Sequence, residues 1–162
     1  KSIRGSDPDA TLFWLANMLE AGEDPNFIFR RLLISASEDI GMADPNAIVV
    51  VKSCCDAFDR VGLPEGIYFL TQASLYLAMS TKSNSTKSIF KAIETIKSAN
   101  AFDVPIHLKN NSNSYLNPHN YPGNWIAQEY LPKSLRGLKI WDPNNNGWEK
   151  NKYEELLRRK EN

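Results

Sequence analysis

The side chains that could do chemistry are few, and their spacing argues against most of the chemistry they could do. The chain has two histidines, His107 and His119, and neither stands at metal-ligand distance in sequence from a cysteine or from the other. With Glu129 they form the one set that could be drawn as an acid–base site; a polar role in a loop is the stronger reading. Glu38-Asp39 is an adjacent acid pair, but neighbouring carboxylates on a helix diverge by about 100°, so capping or ion pairing outweighs catalysis. Cys54-Cys55 are adjacent as well, and a disulfide between them would be strained. They read as one core thiol and one partly exposed thiol in a reducing compartment.

Two basic groups could meet an anion. Lys82-Ser83-Asn84-Ser85 offers a lysine, hydroxyls and the free amides of a helix start, and Lys87 follows. No glycine-rich loop accompanies it, so it is not a P-loop, and plain capping is the simpler account. Arg30-Arg31 could contact phosphate or form ion pairs. The tail aromatics Trp125, Tyr130, Trp141 and Trp148 could stack on single-stranded bases, although few lysines are interleaved with them. No Walker, metal or nucleophile motif occurs in the sequence. It therefore predicts a chain that is not a self-sufficient enzyme, with no cofactor of its own.

The elements that must carry these residues are announced by Asp-Pro, at Asp7-Pro8, Asp24-Pro25 and Asp44-Pro45. Aspartate accepts from the free amides of a first helical turn, and proline at the first position lacks only an N–H that would be orphaned anyway. The first helix is expected over Pro8 to Glu20, burying Leu12, Leu15, Ala16 and Leu19, with Phe13 and Trp14 flanking. The second is expected from Asp24 to about Ile40, where Gly41 stops it. Ile28, Leu32, Leu33, Ala36 and Ile40 share one face, yet Phe27 and Ile34 project from nearly the opposite side. A helix apolar on two faces is buried between neighbours, within a domain or between subunits. Between the two faces Arg31, Ser35 and Glu38 form a polar line suited to an ordered charge pair or a cross-chain contact.

A third helix follows Asp44 on Ala47, Val50, Val51, Cys54, Phe58 and Val61; its cap and period outweigh the strand-like run Ile48 to Val51. A fourth carries Ile67, Leu70, Ala73, Ser74 and Leu77 toward Met79. Ser83-Asn84-Ser85 would cap a fifth, with Ile89, Ala92, Ile93 and Ile96 on its inner face. Beyond Asn100 the period is lost. Residues 101–162 read as an extended, aromatic-rich segment wrapping a bundle formed by residues 1–100, as part of the same domain. A short helix is expected near Ile126 and a charge-dense terminal helix from Lys150 to Asn162.

Composition sets the outer bounds. The chain has 162 residues, 42% of them hydrophobic, which suits one all-α domain with a real core. Its 19 basic and 19 acidic side chains cancel, so nucleic acid would need a local patch. No apolar run approaches the roughly 20 residues that span a bilayer. The chain opens at Lys1 rather than methionine, which predicts a piece of a longer protein.

Several stretches together resemble one ATPase family. They begin with Arg4-Gly5-Ser6-Asp7-Pro8-Asp9-Ala10, Trp14-Leu15-Ala16 and Met18-Leu19-Glu20-Ala21-Gly22-Glu23-Asp24-Pro25. Arg30-Arg31-Leu32, Ala36-Ser37-Glu38-Asp39-Ile40-Gly41 and Ala43-Asp44-Pro45 continue them. Pro64-Glu65-Gly66, Lys82-Ser83-Asn84, Pro105-Ile106-His107-Leu108, Tyr121-Pro122-Gly123, Trp125-Ile126-Ala127-Gln128 and Tyr130-Leu131-Pro132 follow. This set is similar to the C-terminal region of the replication-associated recombination protein A (RarA/MgsA) AAA+ ATPases, whose eukaryotic relative interacts with the Werner helicase. The loop from Asn110 to Asn117 departs from the family's usual glycine- and tyrosine-bearing stretch.

The resemblance implies an all-α, post-AAA+ oligomerisation bundle of about five main helices that assembles as a homotetramer. Its parent would be an ATPase using ATP and magnesium in an upstream AAA+ domain. That protein would act on DNA with replication proteins, in the cytoplasm at the nucleoid, and not at a membrane. Joined to the two-faced second helix, it predicts a subunit interface at Phe27, Arg31, Ile34 and Glu38. The alternative is an accessory module for single-stranded DNA, with Arg30, Lys82, Ser83 and Lys87 as contacts.

Overall fold

The computed structural model describes residues 1–98 and 101–161, so the junction expected at Asn100 and the last residue of the expected terminal helix, Asn162, lie outside the described residues. Six α-helices and no strand are found among the described residues. They are α1 (Pro8–Glu20), α2 (Pro25–Ser35), α3 (Asn46–Val61), α4 (Ile67–Met79), α5 (Ser88–Lys97) and α6 (Gly147–Glu161). The fold is all-α.

The chain divides into two compact units, one of residues 1–86 with 143–150, the other of residues 87–142 with the chain from Asn151 on. In the first unit each Asp-Pro works as a cap. Asp7 Oδ1 accepts from Ala10 N at 2.9 Å, Asp24 Oδ1 from Asn26 N at 2.9 Å and Asp44 Oδ1 from Asn46 N at 3.1 Å. Asp44 also accepts the Tyr76 hydroxyl at 2.7 Å, which ties the start of α3 to α4 and pushes the Tyr76 pKa up through that hydrogen bond. Asp44→Ala removes both contacts and is expected to cost about 1–2 kcal/mol in urea unfolding. Tyr76→Phe should reproduce only part of that loss; an equal loss would assign the whole effect to the hydroxyl.

α1 and α3 pack on α4, and α2 packs on both α3 and α4. The core joins Leu15, Ile28, Phe29, Leu32, Ala36, Ile40, Val51, Phe58, Leu70, Ala73 and Leu77, with the Phe29 and Phe58 rings tilted at 5.4 Å. Cys54 is buried and Cys55 half-buried; both are free, and burial pushes both thiols up.

Some expectations fail in detail. Ala16 is exposed while Thr11 is buried, because the inward stripe of α1 runs Thr11–Leu15–Met18. Val61, the last residue of α3, is exposed. α2 does not continue as one α-helix to Ile40: residues Ala36–Ile40 form a wider π turn that keeps Ala36 and Ile40 in the core.

Ser83-Asn84-Ser85 does not cap α5, which starts at Ser88 after a 3-10 turn at Ser85–Lys87. Ser83 is instead buried and donates its hydroxyl to Glu149 Oε2 at 2.5 Å. Glu149 is 1% exposed and belongs to residues 143–150, which return to the first unit. Asn146 Nδ2 donates to Lys82 O at 3.2 Å, and Gly147 lies against the Ala43 carbonyl. Glu149→Ala takes the acceptor from a buried hydroxyl, a loss of about 1–3 kcal/mol by urea titration. A neutral result would mean that Ser83 finds another partner.

In the second unit, residues 101–142 are irregular, with single 3-10 turns at Ile106–Leu108, Pro118–Asn120, Pro122–Asn124 and Lys133–Leu135. The helix expected near Ile126 is absent. The turn comes earlier, at Pro122, and Trp125 to Tyr130 run without helical hydrogen bonds. Trp141 packs edge-on against Tyr153 of α6 at 5.5 Å. α6 begins at Gly147 rather than Lys150. The face of α5 expected to be buried is not: Ile89, Ile93 and Ile96 are exposed, and of the four only Ala92 is half-buried.

Candidate functional site

The four residues expected on the subunit face come together on one groove. Phe27 and Ile34 sit two turns apart on α2, 37% and 45% exposed, away from the buried Ile28, Phe29 and Leu32. Between them Arg31 is exposed, and Glu38 follows in the π turn, half-buried. The groove encloses about 500 Å³ between α1, α2 and the N-terminal residues, and Trp14 of α1 forms its far wall. Trp14 is 56% exposed and meets Phe13 edge-on at 5.2 Å, which extends the apolar surface along α1.

The polar end of the groove is ordered. Arg4 Nε donates to Asp39 Oδ1 at 2.7 Å, and Ser35 donates to Asp39 Oδ2 at 2.9 Å. Arg4 also lies 3.9 Å from Glu38. The hydrogen bond to Asp39 holds the Arg4 guanidinium still more firmly protonated. The adjacent acids therefore serve as an anchoring point, with Asp39 fixing the N-terminal residues to the π turn. An apolar trough with a charged end can take an apolar side chain from a partner and set its register.

Of the residues expected at an anion site, Arg30, Lys82 and Ser83 of the first unit each have a partner within the chain. Lys82 Nζ donates to the Ala78 carbonyl at 3.0 Å and to the Ser80 carbonyl, and burial pushes its pKa down. Ser83 is buried against a carboxylate, the opposite of what an anion would need. Arg30 lies 3.6 Å from Asp24 and over the Phe27 ring at 6.0 Å. Lys87 is exposed at the start of α5, in the second unit.

The histidines make separate bonds. His107 Nε2 bonds the main-chain oxygen of Glu129 at 2.7 Å, while the Glu129 carboxylate lies 3.8 Å from Arg136. His119 uses its backbone amide, donating to Asn117 at 3.1 Å. Among the described residues no three of His, Cys, Asp and Glu stand together as a metal site, and no helix is long and apolar enough to cross a membrane.

Sequence reasoning missed Trp14 as a groove wall and Glu149 as a buried anchor. Trp14 was visible as an aromatic out of phase with Leu15. Glu149 had a weaker signal, a carboxylate in the first turn after Gly147.

Comparison with known proteins agrees with this reading of the fold. The family model described as MgsA AAA+ ATPase C terminal matches residues 5–160. The replication-associated recombination protein A of Haemophilus influenzae is 40% identical over 173 residues, covering 99% of this chain and 39% of that protein. The protein of the same name from Escherichia coli K12 is 38% identical, covering 92% and 36%. ATPase WRNIP1 of Dictyostelium discoideum is 34% identical, covering 88% and 18%. The chain thus spans well under half the length of these relatives. With nearly all of its length matched, from Gly5 to Lys160 in the last turn of α6, the chain belongs to the C-terminal family of the MgsA-type AAA+ ATPases.

Proposed function

We propose that this chain is the self-association module of an AAA+ ATPase that acts in replication-associated recombination, and that it assembles as a homotetramer. The observation that carries this reading is the outer face of α2, where Phe27 and Ile34 stay in contact with water although the helix already has a complete buried face. An apolar trough between two helices, ending in the ordered Arg4–Asp39–Ser35 set, suits a subunit contact better than free solvent.

The mechanism is positional. Joining copies through this domain raises the effective concentration of the ATPase and DNA-contacting parts attached to each. ATP and magnesium belong to those parts of the parent, as do the contacts with DNA and replication proteins. The names of the relatives, replication-associated recombination protein A and ATPase WRNIP1, support this assignment of the parent.

Light scattering of the chain across a dilution series, at low and high salt, tests the reading. A mass near four chains in both salts is expected, since burial of apolar surface does not weaken with ionic strength. Phe27→Asp with Ile34→Asp should lower that mass while circular dichroism stays helical. An unchanged mass would remove α2 from the interface, and a single-chain mass of the unaltered protein at every concentration would sink self-association itself.

A further inference from the structure

α5 is an amphipathic helix whose apolar face is exposed. None of its residues is fully buried. Its polar edge is the one tied to its own unit: Lys91 Nζ donates to the Lys139 carbonyl at 2.5 Å, and Ser88 Oγ accepts from Asp142 N at 3.2 Å. Ile89, Phe90 and Ile96 are 57, 62 and 61% exposed, and Ile93 is exposed as well. At about 100° per residue, Ile89, Ile93 and Ile96 fall within about 60° of one another, with Phe90 and Lys97 along one side of the stripe. Four large apolar side chains held together in water on a helix fixed by its polar side mark a contact surface.

We propose that this face pairs with the same face of a second copy, the two α5 helices running antiparallel about a two-fold axis beside Ile93. This rests on the self-association reading above and adds a second interface to it. The spacing of the isoleucines, four residues and then three, is that of a helix–helix seam. Turned end for end it matches itself: Ile89 meets Ile96 of the other copy, and Ile93 meets its own equivalent. The same operation lays Phe90 beside Lys97 of the other copy, twice, so each exposed ring gains a lysine stem and its cation. A closed assembly of four with dihedral symmetry needs two different two-fold contacts, and α2 alone offers one.

Cysteine cross-linking in the full chain tests the pairing, with Cys54→Ala and Cys55→Ala as background. Ile93→Cys alone should form a covalent dimer under mild oxidation, because the axis places it against itself. Ile89→Cys alone should not, whereas Ile89→Cys mixed with Ile96→Cys should. Ile89, Ile93 and Ile96 are exposed, so replacing them leaves the core of the Cys54→Ala, Cys55→Ala background as it is. Ile93→Asp is expected to lower the mass by light scattering about two-fold. Self-linking of Ile89→Cys would mean a parallel pairing and overturn the proposal. A multi-chain mass with no cross-link at any of the three positions would overturn it too, but leave self-association through α2 standing. A single-chain mass at all concentrations would overturn both.

Discussion

Gly147→Ala is expected to lower the unfolding free energy by about 2–5 kcal/mol, measured by urea titration. Two costs add. Gly147 has a φ of +56°, where a side chain costs about 1–2 kcal/mol. A Cβ there would also sit 2.3 Å from the Ala43 carbonyl oxygen, so one backbone segment has to move off another, at about 1–3 kcal/mol. Gly22→Ala separates the two. Gly22 closes α1 at φ +83° with nothing within 4 Å of an added Cβ, so it carries the first cost alone. If both variants lose the same amount, residues 143–150 are not held against Ala43 as tightly as the distance implies. Because Glu149 follows two residues later, Gly147→Ala should also expose Ser83 and speed amide exchange there.

Phe29→Ala should cost about 3–5 kcal/mol in the same assay. Phe29 is 1% exposed, packs on Phe58 at 5.4 Å and lies where α2 meets α3 and α4. A cavity there is lined by residues of three helices and cannot close by moving one of them. For a domain whose total stability is about 5–15 kcal/mol, that is a large fraction. Phe27→Ala, two residues away, is the informative contrast. It should change stability by less than about 1 kcal/mol and act on assembly mass instead. A loss at Phe29 no larger than at Phe27 would contradict the placement of the core.

The same pair shows what could be read from the sequence. Asp-Pro located the starts of α1, α2 and α3 because the cap is local chemistry within three residues. The out-of-phase pair Phe27 and Ile34 was visible because a helix has a fixed period. Phe29 escaped notice because a helix packed on two others buries an arc wider than one stripe, and the width depends on the neighbours. α5 shows the limit more sharply. Its apolar face was legible from Ile89, Ile93 and Ile96, but periodicity reports that a face exists and not what covers it. Ser83 was misread as a helix cap for a related reason: its partner, Glu149, is 66 residues away, beyond the reach of any local pattern.

That distance also bears on how the protein is made. The first unit is written in two instalments, residues 1–86 and then 143–150, with the intervening chain folding as something else. A ribosome releasing the chain in order sets the four-helix core free long before Asn146, Gly147 and Glu149 emerge. Until then Ser83 waits without its carboxylate, and the Ala43 carbonyl lacks the backbone of Gly147 against it. Completing this unit is thus a long-range closure, whose entropic cost grows only slowly with the length of the intervening chain. A nascent chain arrested at Asp142 should already show α1 to α4 protected, yet remain open to proteolysis around Ser83 until residues 143–150 appear.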